Sequence, residues 1–313
     1  MTAERLAWIA HDPASLRVLE LAHRVAETST TLLITGESGT GKDHLARLVH
    51  ELSPRRDAPY LKIDCASLPQ ELVESELFGH ERGAFTGAVE RKLGRLELAD
   101  SGTIVLDEVA ALAPGIQSKL LRVLEERAFE RLGGTETLRI DARLVALTNA
   151  DLPLAVAAGR FREDLYFRLN VLTLTVPPLR ERPADILSLA ENLLVRLAAI
   201  HGRPDAALSE ETRQVLAAYA WPGNVRELKN VIERALVFAK EPVLKPEDLP
   251  ENVRAAASGL PGAATRLRSL EEVEREVIKA TLEATRYKIT RAAEILGISR
   301  KTLLDKRKRY GLD

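Results

Sequence analysis

A glycine-rich segment near the start of the chain has the residue types and spacing of a phosphate-binding loop. It follows the apolar run 31–35 and precedes a helical pattern that begins after residue 43, which is the order of strand, loop and helix that the motif requires. Glycines allow backbone N–H groups to converge on phosphates at a helix N-terminus, where the helix dipole adds positive potential, and the lysine supplies a mobile charge. We expect ATP or GTP to bind here, at Gly36, Glu37, Ser38, Gly39, Thr40, Gly41, Lys42 and Asp43.

One residue of this loop departs from the general motif. Asp43 stands where a Ser or Thr normally binds magnesium, so the pattern alone is weaker evidence than a complete match. The alternative is a glycine-rich turn that opens an ordinary helix. The strand and helix patterns on either side favour the phosphate loop.

A pair of carboxylates supplies the second half of a nucleotide site. Asp107 and Glu108 follow a short apolar strand that starts at Thr103, and α/β sheets bind ligands at strand ends. Asp107 is predicted to hold magnesium, directly or through water, and Glu108 to orient and polarise the attacking water. An acidic pair after a strand is also a common helix cap, so the prediction depends on the glycine loop upstream.

A third segment, between these two motifs, offers little to a hydrophobic core. It holds two glycines and two alanines around one aromatic residue, which predicts a flexible, exposed loop. Such a loop is suited to contact another molecule, and a structural hairpin is the alternative. Its residues are Gly83, Ala84, Phe85, Thr86, Gly87 and Ala88.

The elements that position these motifs alternate between strands and helices. The alternation runs from about residue 32 to residue 176 and predicts an α/β fold with a mostly parallel sheet and helices on both faces. After Pro177 and Pro178 the pattern becomes helical, which predicts an all-α subdomain. Small residues with Gly and Pro predict a linker at 254–268. The predicted organisation is an α/β domain at 1–178, a helical subdomain at 179–253, the linker, and a C-terminal domain at 269–313.

Composition limits the classes of protein to which the chain can belong. Its 313 residues and hydrophobic fraction of 45% allow several domains with aliphatic cores. Cys65 is the one cysteine, so no intramolecular disulfide can form. No signal peptide and no apolar run long enough to span a membrane are visible. We therefore expect a cytoplasmic protein without a membrane partner.

The C-terminal end is strongly basic, although the whole chain is nearly neutral. Residues 286–310 hold nine lysines and arginines against two acidic residues, which gives a net charge of +7. Two helical patterns joined by a turn at Gly297 predict an all-α helix-turn-helix for the major groove of double-stranded DNA, with Leu303 and Leu304 packed inward. A solvated basic hairpin is the alternative. The predicted DNA-binding residues are Ser299, which is also the expected N-cap, Arg300, Lys301, Thr302 and Lys306.

Four segments together closely resemble the bacterial enhancer-binding proteins, which are AAA+ ATPases that activate transcription by the sigma-54 form of RNA polymerase. The resemblance extends from about residue 6 to residue 312. The loop segment is close to diagnostic, whereas the phosphate motif alone would not be. The segments are 36–42, 74–88, 161–170 and 221–228.

The resemblance implies a nucleotide, a metal and a protein partner. ATP and Mg²⁺ are the implied cofactors, and the metal is held mainly by Asp107, because family members commonly carry an acidic residue at the position of Asp43. The loop at 83–88 is implied to contact sigma-54, with Phe85 and Thr86 most directly involved. The C-terminal domain resembles the Fis-type helix-turn-helix of the same family.

The resemblance also implies self-assembly from a dimer to a ring, typically a hexamer. Arg162 and Arg168 match the positions from which a neighbouring subunit's arginines reach the γ-phosphate, where they neutralise transition-state charge. Either arginine could instead pair with Glu163 or Asp164 beside it on the surface.

Three further residues match family positions near the nucleotide. Arg226 matches the lid arginine that senses bound nucleotide, and Asn149 matches the sensor residue at the end of the fourth core strand. Asp64 stands where family members often carry Asn or Asp to hold the catalytic glutamate, here Glu108, inactive until sigma-54 engages. Asp64 could equally be an ordinary strand-end cap.

These implications predict an ATPase that activates sigma-54-dependent transcription from a DNA tether. A nucleotide-regulated DNA-binding repressor and a different AAA+ remodeller are the alternatives, and the intact loop at 83–88 argues against both. Many family members place a regulatory domain before the ATPase, which here begins within a few residues of Met1. The interpretations are that a separate regulatory protein acts on this chain or that the chain is a fragment.

Overall fold

The computed structural model describes residues 8–257, 274–275, 278–279, 281–282, 285 and 287–311. The chain divides into two compact units, Met1–Ser258 and Gly259–Asp313. Most of the predicted linker and the predicted start of the C-terminal domain at residue 269 lie outside the described residues.

A parallel five-stranded sheet forms the centre of the first unit. The strands of its α/β part are β1 Leu32–Thr35, β2 Tyr60–Asp64, β3 Gly79–His80, β4 Lys92–Leu93, β5 Thr103–Asp107, β6 Ala128–Glu130, β7 Thr137–Arg139, β8 Arg143–Thr148 and β9 Leu172–Thr175. The sheet has the order β2-β5-β8-β1-β9. All six residues of β8 are buried, as expected for a central strand covered on both faces. The predicted parallel α/β sheet is confirmed.

Helices cover both faces of this sheet. They are α1 Pro13–Ala26, α2 Lys42–Glu51, α3 Gln70–Phe78, α4 Arg95–Leu98, α5 Pro114–Glu126, α6 Leu152–Ala157 and α7 Glu163–Leu169. Successive strand residues point to opposite faces. Val105 and Val145 therefore join one core cluster with α1 and α2, whereas Ile104 and Leu144 join another with α3, α5, α6 and α7.

The parallel arrangement brings the predicted nucleotide residues to one edge of the sheet. The strands β1, β2, β5 and β8 are parallel neighbours, so their carboxyl ends meet at the same edge. The phosphate loop follows β1, Glu108 follows β5 and Asn149 follows β8, while Asp64 is the last residue of β2.

Two small hairpins lie outside the central sheet, and the sequence patterns did not predict them. Strands β3 and β4 pair antiparallel, as do β6 and β7. His80 of the first hairpin forms an isolated bridge with Leu132 in the second. The segment 83–88 lies between β3 and β4 and is therefore supported by both hairpins.

A helical subdomain completes the first unit. It contains α8 Pro183–Ile200, α9 Glu210–Ala218, α10 Asn224–Phe238, α11 Glu251–Ala257 and a two-stranded parallel pair of β10 Ala207–Leu208 and β11 Val243–Leu244. Its core surrounds the fully buried Trp221. The all-helical prediction is therefore correct except for this short pair. The predicted linker start at 254 was too early, because α11 continues to Ala257.

The second unit contains the predicted helix-turn-helix. Its described helices are α12 Ile289–Leu296 and α13 Arg300–Tyr310. Gly297 in the turn has a φ of +66°, a left-handed conformation that glycine adopts without steric cost. Leu303 is fully buried as predicted, but Leu304 is 49% exposed, so the prediction that both leucines pack inward was wrong.

Candidate functional site

The phosphate loop wraps tightly around its lysine. Gly36 has a φ of +145°, and a Cβ there would lie 2.6 Å from the carbonyl oxygen of Val176. Lys42 is buried, and its Nζ donates hydrogen bonds to the carbonyl oxygens of Gly36 at 2.8 Å and of Glu37 at 3.1 Å. Burial lowers the pKa of Lys42, although Glu108 and Asp107 act in the opposite direction. The loop thus holds the Lys42 ammonium, which has two hydrogen bonds to loop carbonyls, near the carboxylates at the end of β5.

Glu108 and Asn149 meet at the ends of neighbouring strands. Glu108 has a φ of +53°, which is uncommon for a residue other than glycine. Its Oε2 accepts a hydrogen bond at 3.2 Å from the backbone N–H of Asn149. The structure therefore joins two predicted site residues, through the backbone of Asn149 rather than its side chain.

Asp64 caps the end of its own strand. Its Oδ1 accepts hydrogen bonds from the backbone N–H groups of Ala66 at 3.0 Å and Ser67 at 3.1 Å. Asp64 lines the same cleft as Asp107 and Glu108. The contacts agree with the strand-end cap that the sequence left open.

Lys62 joins two carboxylates of the cleft, and the sequence analysis missed it. Its Nζ lies 2.8 Å from Asp43 Oδ1 and 2.8 Å from Asp107 Oδ2. Burial alone would lower the pKa of Lys62, but the two carboxylates outweigh burial and raise it. The available signal was a charged residue in the middle of strand β2, between the apolar Leu61 and Ile63.

The helical subdomain contacts the phosphate loop at Glu37. Arg180 Nη1 donates to Glu37 Oε2 at 2.9 Å, and Asn224 Nδ2 donates to the same oxygen at 3.1 Å. The hydrogen bonds from Arg180 and then Asn224 lower the pKa of Glu37 to about 2. Sequence reasoning missed both partners.

Two arginines of the same subdomain contact the loop further along. Arg226, the predicted sensor, donates from Nη1 to Ser38 Oγ at 2.7 Å. Arg182 was not predicted, and its Nη2 donates to the carbonyl oxygen of Thr40 at 2.6 Å. A movement of this subdomain relative to the sheet would change both contacts.

Two cavities flank the loop and share lining residues. The larger has a volume of about 690 Å³ and is lined by Lys42, Asp43, Asp64, Asp107, Glu108 and Arg226, among others. The smaller, of about 160 Å³, is lined by Trp8, Arg182 and Asn192, among others. Both include Gly41, His44, Leu193 and Val225. The arrangement joins a charged compartment to a more apolar one with an aromatic wall.

Arg162 and Arg168 lie away from this cleft. Arg162 pairs with Asp164 at 2.7 Å, and Arg168 pairs with Glu125 at 3.4 Å. Both side chains are about half exposed, at 46% and 55%, and neither lines the cleft of its own chain. The surface ion pair that the sequence left open for Arg162 is present.

The predicted contact loop is exposed at its tip and anchored at one end. Gly83 donates its N–H to the carbonyl oxygen of Ala88 at 2.8 Å. Phe85 is 44% exposed and lies edge-on to His80 with the ring centres 5.0 Å apart. Ala88 is buried, so the expectation that the whole segment is exposed was wrong at this residue. Gly83 and Gly87 have positive φ, with open space where a Cβ would stand, so the backbone conformation explains both glycines.

Arg131 ties the base of this loop to the second hairpin. Its side chain is 3% exposed and pairs with Glu81 at 2.9 Å, Glu97 at 2.8 Å and Glu136 at 3.4 Å. The hydrogen bonds that Arg131 donates to Glu97 raise the pKa of Arg131 further. Glu81 lies two residues before Gly83, so the loop begins at a buried ionic contact.

We expect replacement of Arg131 with methionine to lower the free energy of unfolding by about 2 kcal/mol, because Glu81 and Glu97 would lose their shared buried cation and keep only the longer contacts to Arg91, at 3.8 and 4.0 Å. Urea unfolding followed by circular dichroism measures the change. Arg122 is a matched control, since it also pairs with two glutamates, at 2.8 and 3.1 Å, but is 48% exposed. Arg122→Met should change stability little. Equal losses in the two variants would contradict a special role for the buried arginine.

The predicted DNA-binding residues of the second unit have unequal environments. Ser299 is the N-cap of α13, and its Oγ accepts a hydrogen bond from the N–H of Thr302 at 3.0 Å. Arg300 and Lys301 are exposed at the start of the same helix. Lys306 instead pairs with Glu274 at 2.6 Å within this unit.

Within the described ranges, no helix has the length and apolar character needed to cross a membrane. The same residues contain no group of three or more His, Cys, Asp or Glu side chains arranged to hold a metal ion.

Family models match most of the chain in three consecutive parts. Residues 8–175 match the sigma-54 interaction domain, and residues 180–265 match the AAA+ ATPase lid domain. Residues 269–310 match the Fis family of bacterial regulatory proteins. The order is the one that the resemblance implied.

Curated relatives and solved structures agree with these matches. The alginate biosynthesis transcriptional regulatory protein AlgB of Pseudomonas aeruginosa is 48% identical over 302 residues, which cover 96% of this chain and 67% of AlgB. Regulatory protein AtoC of Escherichia coli is 43% identical and covers 97% of this chain and 68% of AtoC. The structure of NtrX from Brucella abortus in complex with ATP has a TM-score of 0.74 at 35% identity and covers 99% of this chain and 70% of NtrX.

Proposed function

Because this chain belongs to the family of sigma-54-dependent transcriptional regulators, we propose that it hydrolyses ATP to open promoter DNA held by sigma-54 RNA polymerase. One observation carries the proposal. A single compact unit holds a cleft with a phosphate loop and paired carboxylates, and two adjoining hairpins support a loop with the exposed Phe85. A nucleotide-driven change in the cleft could thus be delivered to a protein partner at the loop.

The two cavities support ATP as the substrate. The charged compartment offers Lys42, the loop N–H groups and Arg226 to phosphates. The smaller compartment offers Trp8, 5.7 Å from the ring of His44, as an aromatic wall for a purine. The ATP and ADP complexes of NtrX support the same ligand by similarity.

The donor set of the cleft fits Mg²⁺. Asp43 and Asp107 already share one cation, the Lys62 ammonium, and magnesium in proteins commonly takes one or two carboxylates together with substrate phosphates. We propose Asp107 as its main protein ligand. When bound, the ion supplies positive charge to the phosphate oxygens. Glu108 orients the attacking water, while Lys42 holds the phosphates.

The proposed active assembly is a ring, and the positions of the two exposed arginines support this proposal. Arg162 and Arg168 cannot serve the cleft of their own chain from where they lie, but a neighbouring copy could receive them. An arginine supplied in this way neutralises charge that develops in phosphoryl transfer. We propose that their pairs with Asp164 and Glu125 are exchanged for contacts with the neighbour's nucleotide, in a hexamer by family resemblance.

The second unit supplies a DNA tether in this proposal. Its exposed Arg300 and Lys301 begin a helix suited to the major groove, and the Fis-family match supports the same use. We propose that the protein works in the bacterial cytoplasm, where promoter DNA and the polymerase are found.

The function is tested by open-complex formation on a sigma-54-dependent promoter. We expect unchanged protein to open the promoter with ATP and not with a non-hydrolysable analogue. Thr86→Ala should keep most ATP hydrolysis but lose about tenfold or more in open complex, because a side chain of the exposed loop is removed while the cleft is untouched. Thr28→Ala, an exposed threonine far from both, is the control. Normal opening by Thr86→Ala would rule out the loop as the contact with sigma-54.

DNA recognition has its own expected result. Arg300→Ala should cost about 1–3 kcal/mol on a specific site and little on scrambled DNA, because an arginine at the start of a recognition helix reads base edges. Lys306→Ala should lower affinity for both DNAs slightly, since its ammonium already pairs with Glu274. Fluorescence anisotropy titrations at two salt concentrations measure both. Equal losses on both DNAs for Arg300→Ala would indicate a phosphate contact instead.

A further inference from the structure

Lys62 occupies an unusual position for a lysine of β2, an edge strand of the five-stranded sheet. It lies in the middle of β2, which pairs with β5 so that Asp64 lies beside Asp107. Its ammonium is equidistant from a carboxylate of the phosphate-loop helix, Asp43, and the strand-end carboxylate, Asp107, at 2.8 Å from each. Its side chain is 33% exposed, and its ammonium contacts two carboxylates that line the cleft.

We propose that Lys62 is a tethered cation that holds the place of magnesium between Asp43 and Asp107 and yields it when a metal–nucleotide complex binds. The inference rests on the proposed ATPase function, because it assigns a role to a residue beside the proposed metal site. Lys62 is a positioning residue in this reading, since it acts through the two carboxylates and has no contact with the reacting atoms.

The identity of residue 43 explains why such a cation is needed. The general phosphate-loop motif has a neutral Ser or Thr hydroxyl there, whereas Asp43 adds a second negative charge beside Asp107. Two carboxylates that face one site repel each other unless a cation lies between them. A lysine on the adjacent strand supplies that cation permanently and keeps both carboxylates oriented.

The same arrangement makes the site selective for the metal–nucleotide complex over the free metal. A free divalent ion must compete with an ammonium that is attached to the protein and already paired twice. In a metal–nucleotide complex, the phosphates bind the metal. They can also accept hydrogen bonds from the displaced Lys62 ammonium. Lys62 has a flexible four-carbon stem, so it can move toward a phosphate without leaving the cleft.

Binding of Mn²⁺ to the nucleotide-free protein, followed by electron paramagnetic resonance, tests the proposal. We expect Lys62→Met to bind one Mn²⁺ about tenfold more tightly than the unchanged protein, because the competing ammonium is gone. Adding Asp43→Asn to Lys62→Met should reverse the gain. Lys119→Met is the matched control, since Lys119 also pairs with a carboxylate at 2.8 Å, but this carboxylate, Glu74, lies outside the lining of the cleft.

Melting temperatures provide a second readout. Without metal, Lys62→Met should melt lower than the unchanged protein, and millimolar Mg²⁺ should restore more of its stability than it adds to the unchanged protein. Lys62→Gln, a shorter polar replacement, serves if the methionine variant does not fold. If Lys62→Met and the unchanged protein bind Mn²⁺ with equal affinity, the proposal is overturned.

Failure of this inference is distinguishable from failure of the proposed function. Binding of a fluorescent ATP analogue to the unchanged protein tests the function separately. If the analogue binds and Mn²⁺ affinity does not depend on Lys62, only the inference fails. If the analogue does not bind, the ATPase proposal fails, and the Mn²⁺ comparison still decides whether Lys62 occupies a cation position.

Discussion

A protein in which glutamine replaces Glu108 is expected to bind ATP normally and to hydrolyse it about a thousandfold more slowly, because an amide cannot polarise the attacking water as a carboxylate does. Glu108 lines the cleft beside Asp107, and a glutamine would remove its charge interaction with Lys42 but no hydrogen bond to the phosphate loop. Its hydrogen bond from the Asn149 backbone N–H can be accepted by the glutamine oxygen. The geometry of the site should therefore survive the change.

Steady-state phosphate release and binding of a fluorescent ATP analogue measure the two expectations. Asp64→Asn is the matched comparison, because the asparagine Oδ1 can still accept the hydrogen bonds from Ala66 and Ser67. If Asp64 is only a strand-end cap, this variant should hydrolyse ATP within about twofold of the unchanged protein. A marked change would support a restraint on Glu108. Retained hydrolysis in Glu108→Gln would remove Glu108 from its proposed role.

Glu108→Gln also separates activation from repression. A repressor that uses nucleotide only for assembly would still act with this variant, because assembly needs binding and not hydrolysis. An activator would bind promoter DNA and fail to open it. The same protein preparation can be used in both assays.

Local patterns in the sequence predicted the strands, the phosphate loop and the acidic strand end. Each depends on neighbours in the chain: an apolar run, glycines at fixed spacing, and a carboxylate directly after a strand. The parallel sheet then follows, because strands that alternate with helices pair in parallel. The recognised segments added the contact loop and the sensor arginine, Arg226.

The missed contacts of Glu37 have no local signal. Arg180 reaches Glu37 across 143 positions of sequence, and Asn224 reaches it across 187. Lys62 lies in a short strand and Arg131 in a hairpin, where a charged side chain normally faces solvent. Only the fold shows that carboxylates surround these two side chains. The hairpins β3–β4 and β6–β7 are two or three residues long per strand, too short for an alternating pattern to be recognised.

The contacts between the helical subdomain and the phosphate loop share one consequence for mechanism. Arg180, Arg182, Asn224 and Arg226 all belong to the helical subdomain or its start, and all contact the phosphate loop. A phosphate that competes for Arg226 or changes the loop conformation therefore alters the contact between subdomain and sheet. Through these contacts, nucleotide binding at the loop and the orientation of the subdomain are physically linked.

Removal of Arg162 is expected to lower ATP hydrolysis about a thousandfold, because a positively charged group that stabilises the transition state would be lost. Arg160→Ala, an exposed arginine two residues earlier, should leave hydrolysis within about twofold. Size-exclusion chromatography with light scattering must show that Arg162→Ala still assembles. If Arg162→Ala fails to assemble, its loss of ATP hydrolysis would be explained by a damaged subunit interface and not by the missing charge.

Mixing two inactive variants decides whether this arginine acts on a neighbouring subunit. Arg162→Ala keeps its own cleft but lacks the arginine, whereas Glu108→Gln keeps the arginine but lacks an active cleft. In a mixed ring, a cleft of the first variant beside a subunit of the second is complete, so an equal mixture should recover roughly a quarter of the unchanged activity. An arginine that served its own chain would give no recovery at any ratio. The exposed position of Arg162, away from its own cleft, is the structural reason to expect recovery.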